Sequence, residues 1–143
     1  MFIVPSLAKL TALRMLDLSH SGIKEILQCM EMLVSLKYLN LFARNLEILP
    51  TGIFPKLTSL QFLMIYGASK ILKVKEEEVA WLRKLETFAG QLYDQNDFNA
   101  YVRSLKEQGP KHYFIRMRED SYETIEEEME FFQKEVVNKM QHW

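Results

Sequence analysis

Leucine and isoleucine recur along the chain in one spacing that appears four times. The pattern is L-x-x-L-x-x-L-x-L, and successive copies are displaced by 23, 24 and 25 residues. The four sets are Leu10, Leu13, Leu16, Leu18, Ile23 and Ile26; Leu33, Leu36, Leu39, Leu41, Leu46 and Leu49; Leu57, Leu60, Leu63 and Ile65; and, more weakly, Leu82, Leu85, Phe88 and Gly90. A fixed internal spacing at a nearly fixed offset indicates a repeated structural unit.

The hydrophobic period changes within each unit, which predicts a strand followed by a return segment. Leu16 and Leu18 are separated by one residue, as are Leu39 and Leu41, so each pair shares one face of a strand. The wider spacings on either side bring the chain back to start the next unit. An amphipathic helix would need its 3.6-residue period to continue through each pair, and the period stops there.

These units predict an α/β fold, a leucine-rich-repeat solenoid with a short parallel sheet on its concave side. Each unit buries its leucines only against its neighbours, so three or more units are needed for stability. We expect the solenoid to occupy residues 1–118, in four to five units of which the last are irregular. The fourth unit departs from the rule, because Lys70–Val79 is a longer, charged connector and Gly90 stands where the second strand leucine is expected.

Two further elements are predicted before residue 118. Asn96 or Asp97 is a suitable N-cap for a helix that runs to about Lys106 and ends before Gly109-Pro110. The segment Tyr113–Met117 then predicts a fifth strand that extends the sheet.

Residues 119–143 carry a helical period and predict an acidic amphipathic helical tail. Its apolar residues recur at intervals of 3, 4, 3, 4 and 4, at Tyr122, Ile125, Met129, Phe132, Val136 and Met140. Ser121 is a candidate N-cap. Three roles are open for this helix: capping the end of the solenoid, covering the concave face, or self-association.

Strand alternation turns a second set of residues away from the leucine core, toward the concave face. Three columns result: Met15, Tyr38, Phe62 and Thr87; Asp17, Asn40, Met64 and Ala89; and Ser19, Phe42, Tyr66 and Gln91. The candidate partner-binding residues are the large apolar ones, Met15, Tyr38, Phe42, Phe62, Met64 and Tyr66. The alternative is that a neighbouring segment of the same chain covers this surface.

Charge is distributed unevenly along the chain. Residues 1–118 carry 16 Lys/Arg and 11 Asp/Glu, a net charge of +5, whereas residues 119–143 carry 2 and 8, a net charge of −6. The basic residues are scattered, which argues against nucleic acid as a partner. The N-terminus lacks a signal-peptide pattern, no long apolar run predicts a membrane span, and the single cysteine, Cys29, forms no internal disulfide. We expect a soluble, cytoplasmic protein.

The sequence offers no catalytic, cofactor-binding or metal-binding constellation. His20, His112 and His142 are far apart and outside any metal-ligand spacing. Within the runs Glu76–Glu78 and Glu126–Glu128, adjacent side chains would point in different directions on a helix. Solvated surface charge therefore explains these runs better than an acid-base or metal site does. We therefore expect a protein that is not an enzyme.

Several segments, in their order along the chain, resemble the repeat region of plant intracellular disease-resistance proteins. They are Leu33–Leu41, Asn45–Pro50, Leu60–Ala68, Leu85–Phe88 and Asp97–Pro110. Together they look like the coiled-coil nucleotide-binding leucine-rich-repeat class, over roughly residues 5–118. The chain has no G-x-x-x-x-G-K-[ST] phosphate loop, so it is similar to a fragment that lacks the nucleotide-binding domain, or to a stand-alone relative.

The resemblance implies a protein-protein recognition module with a sensing or regulatory role in the defence response. In that family the repeats sense pathogen effectors or modified host proteins and fold back on the nucleotide-binding domain to hold it inactive. The implied partner is therefore an effector, a host protein or a nucleotide-binding domain, and we expect a monomeric chain. The alternative is a leucine-rich-repeat scaffold or adaptor without an immune role.

Overall fold

The fold is described from a computed structural model over residues 10–50, 52–67, 79, 82–91, 112–116, 127, 131–132 and 134–135. Five strands form one sheet in which the spatial order follows the chain order. They are β1 (Met15–Asp17), β2 (Tyr38–Phe42), β3 (Phe62–Tyr66), β4 (Thr87–Gln91) and β5 (His112–Arg116). Every neighbouring pair is parallel.

The strand register follows the sequence repeat. Leu16 pairs with Leu39, and Leu39 pairs with Leu63, so equivalent residues of successive units lie side by side. The prediction that these leucines lie on adjacent strands, and not on helices, is confirmed. The first two columns of outward-facing residues continue in the same register into β4, where Phe62 pairs with Thr87 and Met64 with Ala89.

Each of β2, β3 and β4 begins with the same backbone arrangement, in which two consecutive amides donate to one carbonyl of the preceding unit. The carbonyl of Arg14 accepts from Lys37 and Tyr38 at 2.8 and 3.0 Å. The carbonyls of Lys37 and Gln61 accept in the same way from the residues that begin the next two strands, at 2.8–3.0 Å. This shared contact sets the register at the point where each strand starts.

The return segments of the first two units also pair. Glu25 and Ile48 form a parallel bridge, and the amide of Ile26 donates to the carbonyl of Ile48 at 3.0 Å. Two 3₁₀ helices, Gln28–Met32 and Phe54–Lys56, lie farther along these segments. Pro55 lies in the first turn of the second helix, where a residue without an amide hydrogen loses no internal bond.

The core fills the space between the sheet and the return segments. The repeat leucines on its inner side are fully buried, among them Leu36, Leu39, Leu41, Leu57, Leu60 and Leu63. At the first unit the burial weakens: Leu13 and Leu16 are partly buried and Leu10 is exposed. This gradient is expected where a repeat has a neighbour on one side among the described residues.

The fourth unit keeps the sheet despite its departure from the leucine pattern. The ring of Phe88 is fully buried, and a Cβ at Gly90 would lie 2.9 Å from Phe88 Cζ. The larger ring thus reaches into the volume that a leucine at position 90 would fill. The predicted fifth strand is also present, and it begins one residue earlier than expected, at His112.

Of the two predicted helices, one lies wholly and the other largely outside the described residues. The helix predicted from Asn96 or Asp97 to about Lys106 lies outside the described residues. In the predicted C-terminal helix, Glu127, Phe131, Phe132, Lys134 and Glu135 are α-helical, and the rest of that segment lies outside the described residues.

A candidate interaction face on the sheet

The side of the sheet opposite the leucine core carries a second apolar cluster. Tyr38, Phe42, Phe62, Met64 and Tyr66 form it, and we call these five residues the aromatic face. They come from β2 and β3, whose alternate residues point away from the core. Ala89 of β4 joins the same cluster. Sequence reasoning therefore placed these five residues correctly on one surface.

The aromatic face is not open to solvent in this structure. Its five side chains are only 0–6% exposed. Met15, the sixth candidate, lies beside Tyr38 in the register but is 52% exposed. Strand alternation predicts which face a residue joins but not whether another segment packs on that face. The structure corresponds to the alternative in which the chain covers its own surface.

The rings of the aromatic face pack across the strands in directly opposed pairs. Tyr38 and Phe62 are stacked, with ring centroids 4.4 Å apart and an interplanar angle of 9°. Phe42 and Tyr66 lie 5.2 Å apart with a tilt of 31°. Each such pair contributes about 0.5–1.5 kcal/mol beyond its area burial. These pairs give the surface a fixed shape.

His20 extends this row of rings past the end of β1. Its ring meets Phe42 edge-on, at a centroid distance of 5.7 Å and an angle of 72°. Its backbone is in the left-handed region, with φ of 59°, which is uncommon for a residue other than glycine. The contact with Phe42 accounts for His20 as part of the packing at the border of the face.

Two polar side chains are buried on the same side of the sheet. Asn40 is satisfied locally, because its Oδ1 accepts from the amide of Phe42 at 3.0 Å. Thr87 is fully buried, and its hydroxyl has no hydrogen-bond partner among the described residues. A buried hydroxyl without a partner costs about 1–3 kcal/mol. The surface under the cover is therefore not uniformly apolar.

Phe132, from the predicted C-terminal helix, packs against the aromatic face. Its neighbour Phe131 is 65% exposed, although both residues are helical. This difference agrees with the predicted apolar stripe, which includes Phe132 and excludes Phe131. Sequence reasoning named Phe132 as part of a possible cover but not as a site residue. The signal that identifies it is the helical period of the stripe, although Phe132 lies roughly 66 residues beyond the end of β3.

The described residues do not bring metal-ligating side chains together. Among them, no group of three or more His, Cys, Asp or Glu side chains could hold a metal ion. Cys29 is a half-buried free thiol in the first 3₁₀ helix. The side chains of His112 and His142 lie outside the described part of the chain.

Comparison with known proteins adds no family assignment. No protein-family model matches the chain, and no curated protein matches it with significance. Within the part of the chain that the structure describes, no helix is long and apolar enough to cross a membrane.

Proposed function

We propose that the chain is the leucine-rich-repeat solenoid of a plant disease-resistance-type protein and that it acts by recognising another protein in the defence response. The architecture is supported by the in-register pairing of units 23–25 residues apart. It is also supported by the second pairing between return segments at Glu25 and Ile48. The family assignment rests on the sequence resemblance described above.

The observation that carries the recognition role is the packing of Phe132 on the aromatic face. The rings of β2 and β3 form a rigid surface that accepts an aromatic side chain from a helix distant in the sequence. Protein interfaces gain much of their binding energy from aromatic anchors that enter such well-packed surfaces. A partner that presents an aromatic side chain on a helix fits the same chemistry.

Met15 extends this surface into solvent. It lies beside Tyr38 in the sheet and is 52% exposed, so a partner can touch it without any rearrangement of the core. Met32 is equally exposed, at 51%, but lies in the first 3₁₀ helix, within a return segment. The two methionines therefore make a matched pair for testing which side of the molecule binds.

The proposal is tested with a coiled-coil nucleotide-binding protein of the resistance class from which its own repeats have been removed. We expect the purified full chain to bind this protein and to reduce the cell death that it triggers when both are expressed in leaves. Met15→Glu should weaken binding about tenfold or more, because a rim charge must be desolvated, whereas Met32→Glu should leave binding unchanged. Isothermal titration measures the affinity.

Absence of both binding and suppression would contradict the nucleotide-binding domain as partner. Binding to a host protein without any effect on cell death would favour the scaffold or adaptor alternative. If Met32→Glu weakened binding and Met15→Glu did not, recognition would belong to the side of the return segments and not to the sheet.

A further inference from the structure

Two adjacent residues of the C-terminal segment differ in whether they touch the aromatic face. Phe132 packs on the aromatic face, whereas Phe131 is 65% exposed. Phe132 thus meets the sheet while its helical neighbour faces solvent. Phe132 is itself only partly buried, so its contact is shallower than the contacts in the leucine core.

Charge favours the approach of this segment but does not fix it in place. Residues 119–143 have a net charge of −6 and residues 1–118 a net charge of +5. Attraction between the two is long-range and is screened within about 8–10 Å at physiological salt. An acidic partner helix would gain the same attraction.

Thr87 carries an energetic cost on the same side of the sheet. It pairs with Phe62 in the sheet register, on the side of the aromatic face. Its hydroxyl is buried and has no partner among the described residues. Uncovering this side of the sheet would remove that penalty if it admitted water to the hydroxyl.

We propose that the C-terminal segment containing Phe132 is a displaceable cover of the aromatic face, and that it competes with the partner for that face. The partner is a protein that presents an aromatic side chain on an acidic amphipathic helix. Its role as a defence partner rests on the function proposed above. The competition itself is a property of this chain alone and is tested without any partner.

The test replaces Phe132 with the photoreactive residue p-benzoylphenylalanine in the full chain, and replaces Phe131 in a second sample as the matched control. Irradiation from position 132 should crosslink to β2 or β3, as identified by mass spectrometry of the digested protein. Position 131 should give at most about one tenth of that yield, because its side chain points into solvent. Equal yields from the two positions would overturn the assigned contact.

Displacement is measured by adding a synthetic peptide of residues 121–143. A tethered segment has an effective concentration of about millimolar, so roughly millimolar peptide should halve the crosslink from position 132. A peptide with Phe131→Ala should compete equally well, and one with Phe132→Ala should not. A crosslink unchanged at several millimolar peptide would overturn displacement and leave the segment as a fixed part of the fold.

Thr87→Val provides a second variant, in which a methyl group replaces the hydroxyl. Removing the orphaned hydroxyl should strengthen the cover, so the peptide concentration that halves the crosslink should rise about fivefold. Thr87→Ser, which keeps the hydroxyl, should not raise it. No difference between the two variants would contradict the assigned role of the hydroxyl.

The two proposals fail separately. A successful peptide competition combined with no binding to the repeat-less nucleotide-binding protein would leave the cover intact and remove that partner. A fixed cover combined with partner binding that is sensitive to Met15→Glu would remove the displaceable cover and leave the proposed partner intact.

Discussion

In the fourth unit, one large and one small residue, Phe88 and Gly90, occupy the two inward strand positions that hold two medium-sized aliphatic residues in the earlier units. Phe88 is fully buried and its ring extends toward position 90, where a Cβ would lie 2.9 Å from Phe88 Cζ and 3.2 Å from the carbonyl oxygen of Ile65. A large residue followed by the smallest one conserves the total volume inside the core. Cores tolerate such exchanges when the summed volume is kept.

Gly90→Ala should therefore destabilise the protein by about 1–3 kcal/mol, because the added methyl overpacks the ring and the β3 backbone. The double variant Phe88→Leu with Gly90→Ala should recover part of this loss, since the smaller side chain vacates the contested space. Urea unfolding measures both. Strictly additive effects of the two substitutions would show that Phe88 and Gly90 are not coupled.

At the scale of an element, the last backbone amide of β2 bonds to a side chain and not to the neighbouring strand β1. The amide of Phe42 would bond to the carbonyl of Leu18 if the β1–β2 ladder continued. That carbonyl instead accepts from the amide and hydroxyl of Ser21, at 3.3 and 2.7 Å. Asn40 Oδ1 satisfies the Phe42 amide at 3.0 Å. Asp17 makes the corresponding bond to the amide of Ser19 at 2.9 Å in β1.

These two equivalent bonds should differ in their contribution because one is buried and the other exposed. Asn40→Ala should cost about 1–3 kcal/mol, because it leaves a buried amide without an acceptor. Asp17→Ala should cost less than about 1 kcal/mol, because water reaches the freed amide of Ser19. The measured quantity is the free energy of unfolding in urea, and equal losses would mean that water also reaches Phe42.

The strands were predictable because their signal lies in residues close together in the sequence. The spacing of Leu16, Leu39 and Leu63 gave the order, direction and register of the sheet, and the alternation beside them gave the membership of the aromatic face. The fifth strand was predicted to within one residue. The way in which the Phe88 ring fills the space beside Gly90 was not predicted, because a pattern of residue types does not show how far a ring reaches.

The burial of the aromatic face could not be derived from its own residues. Exposed and covered sheet faces carry the same alternation, and Phe132, which packs against the face, is separated from it by a long stretch of chain. The helical period identified Phe132 as one of six stripe residues. Which of the three open roles the stripe plays depends on tertiary packing, which local periodicity does not contain.

At the scale of the whole molecule, stability is shared between neighbouring units. Leu39 is fully buried between the strands on both sides, whereas Leu16 lies on the first strand and is only partly buried. A stack in which each unit contacts its neighbours loses more when an inner unit is damaged than when an end unit is.

Leu39→Ala should accordingly lower the free energy of unfolding by about 2–5 kcal/mol, and Leu16→Ala by distinctly less. Both changes remove the same atoms from equivalent strand positions, so the difference reports position in the stack. Urea titration followed by circular dichroism measures it. A loss at Leu16 as large as at Leu39 would indicate that the first unit is packed on both sides.

The distance along the chain between the aromatic face and Phe132 has a consequence for biosynthesis. The face is complete once Tyr66 has left the ribosome, but Phe132 follows roughly 66 residues later. At translation rates of about 5–20 residues per second, this interval is on the order of 3–13 s. During that time the nascent chain presents stacked rings that lack their native contact with Phe132, and general chaperones recognise surfaces of this kind.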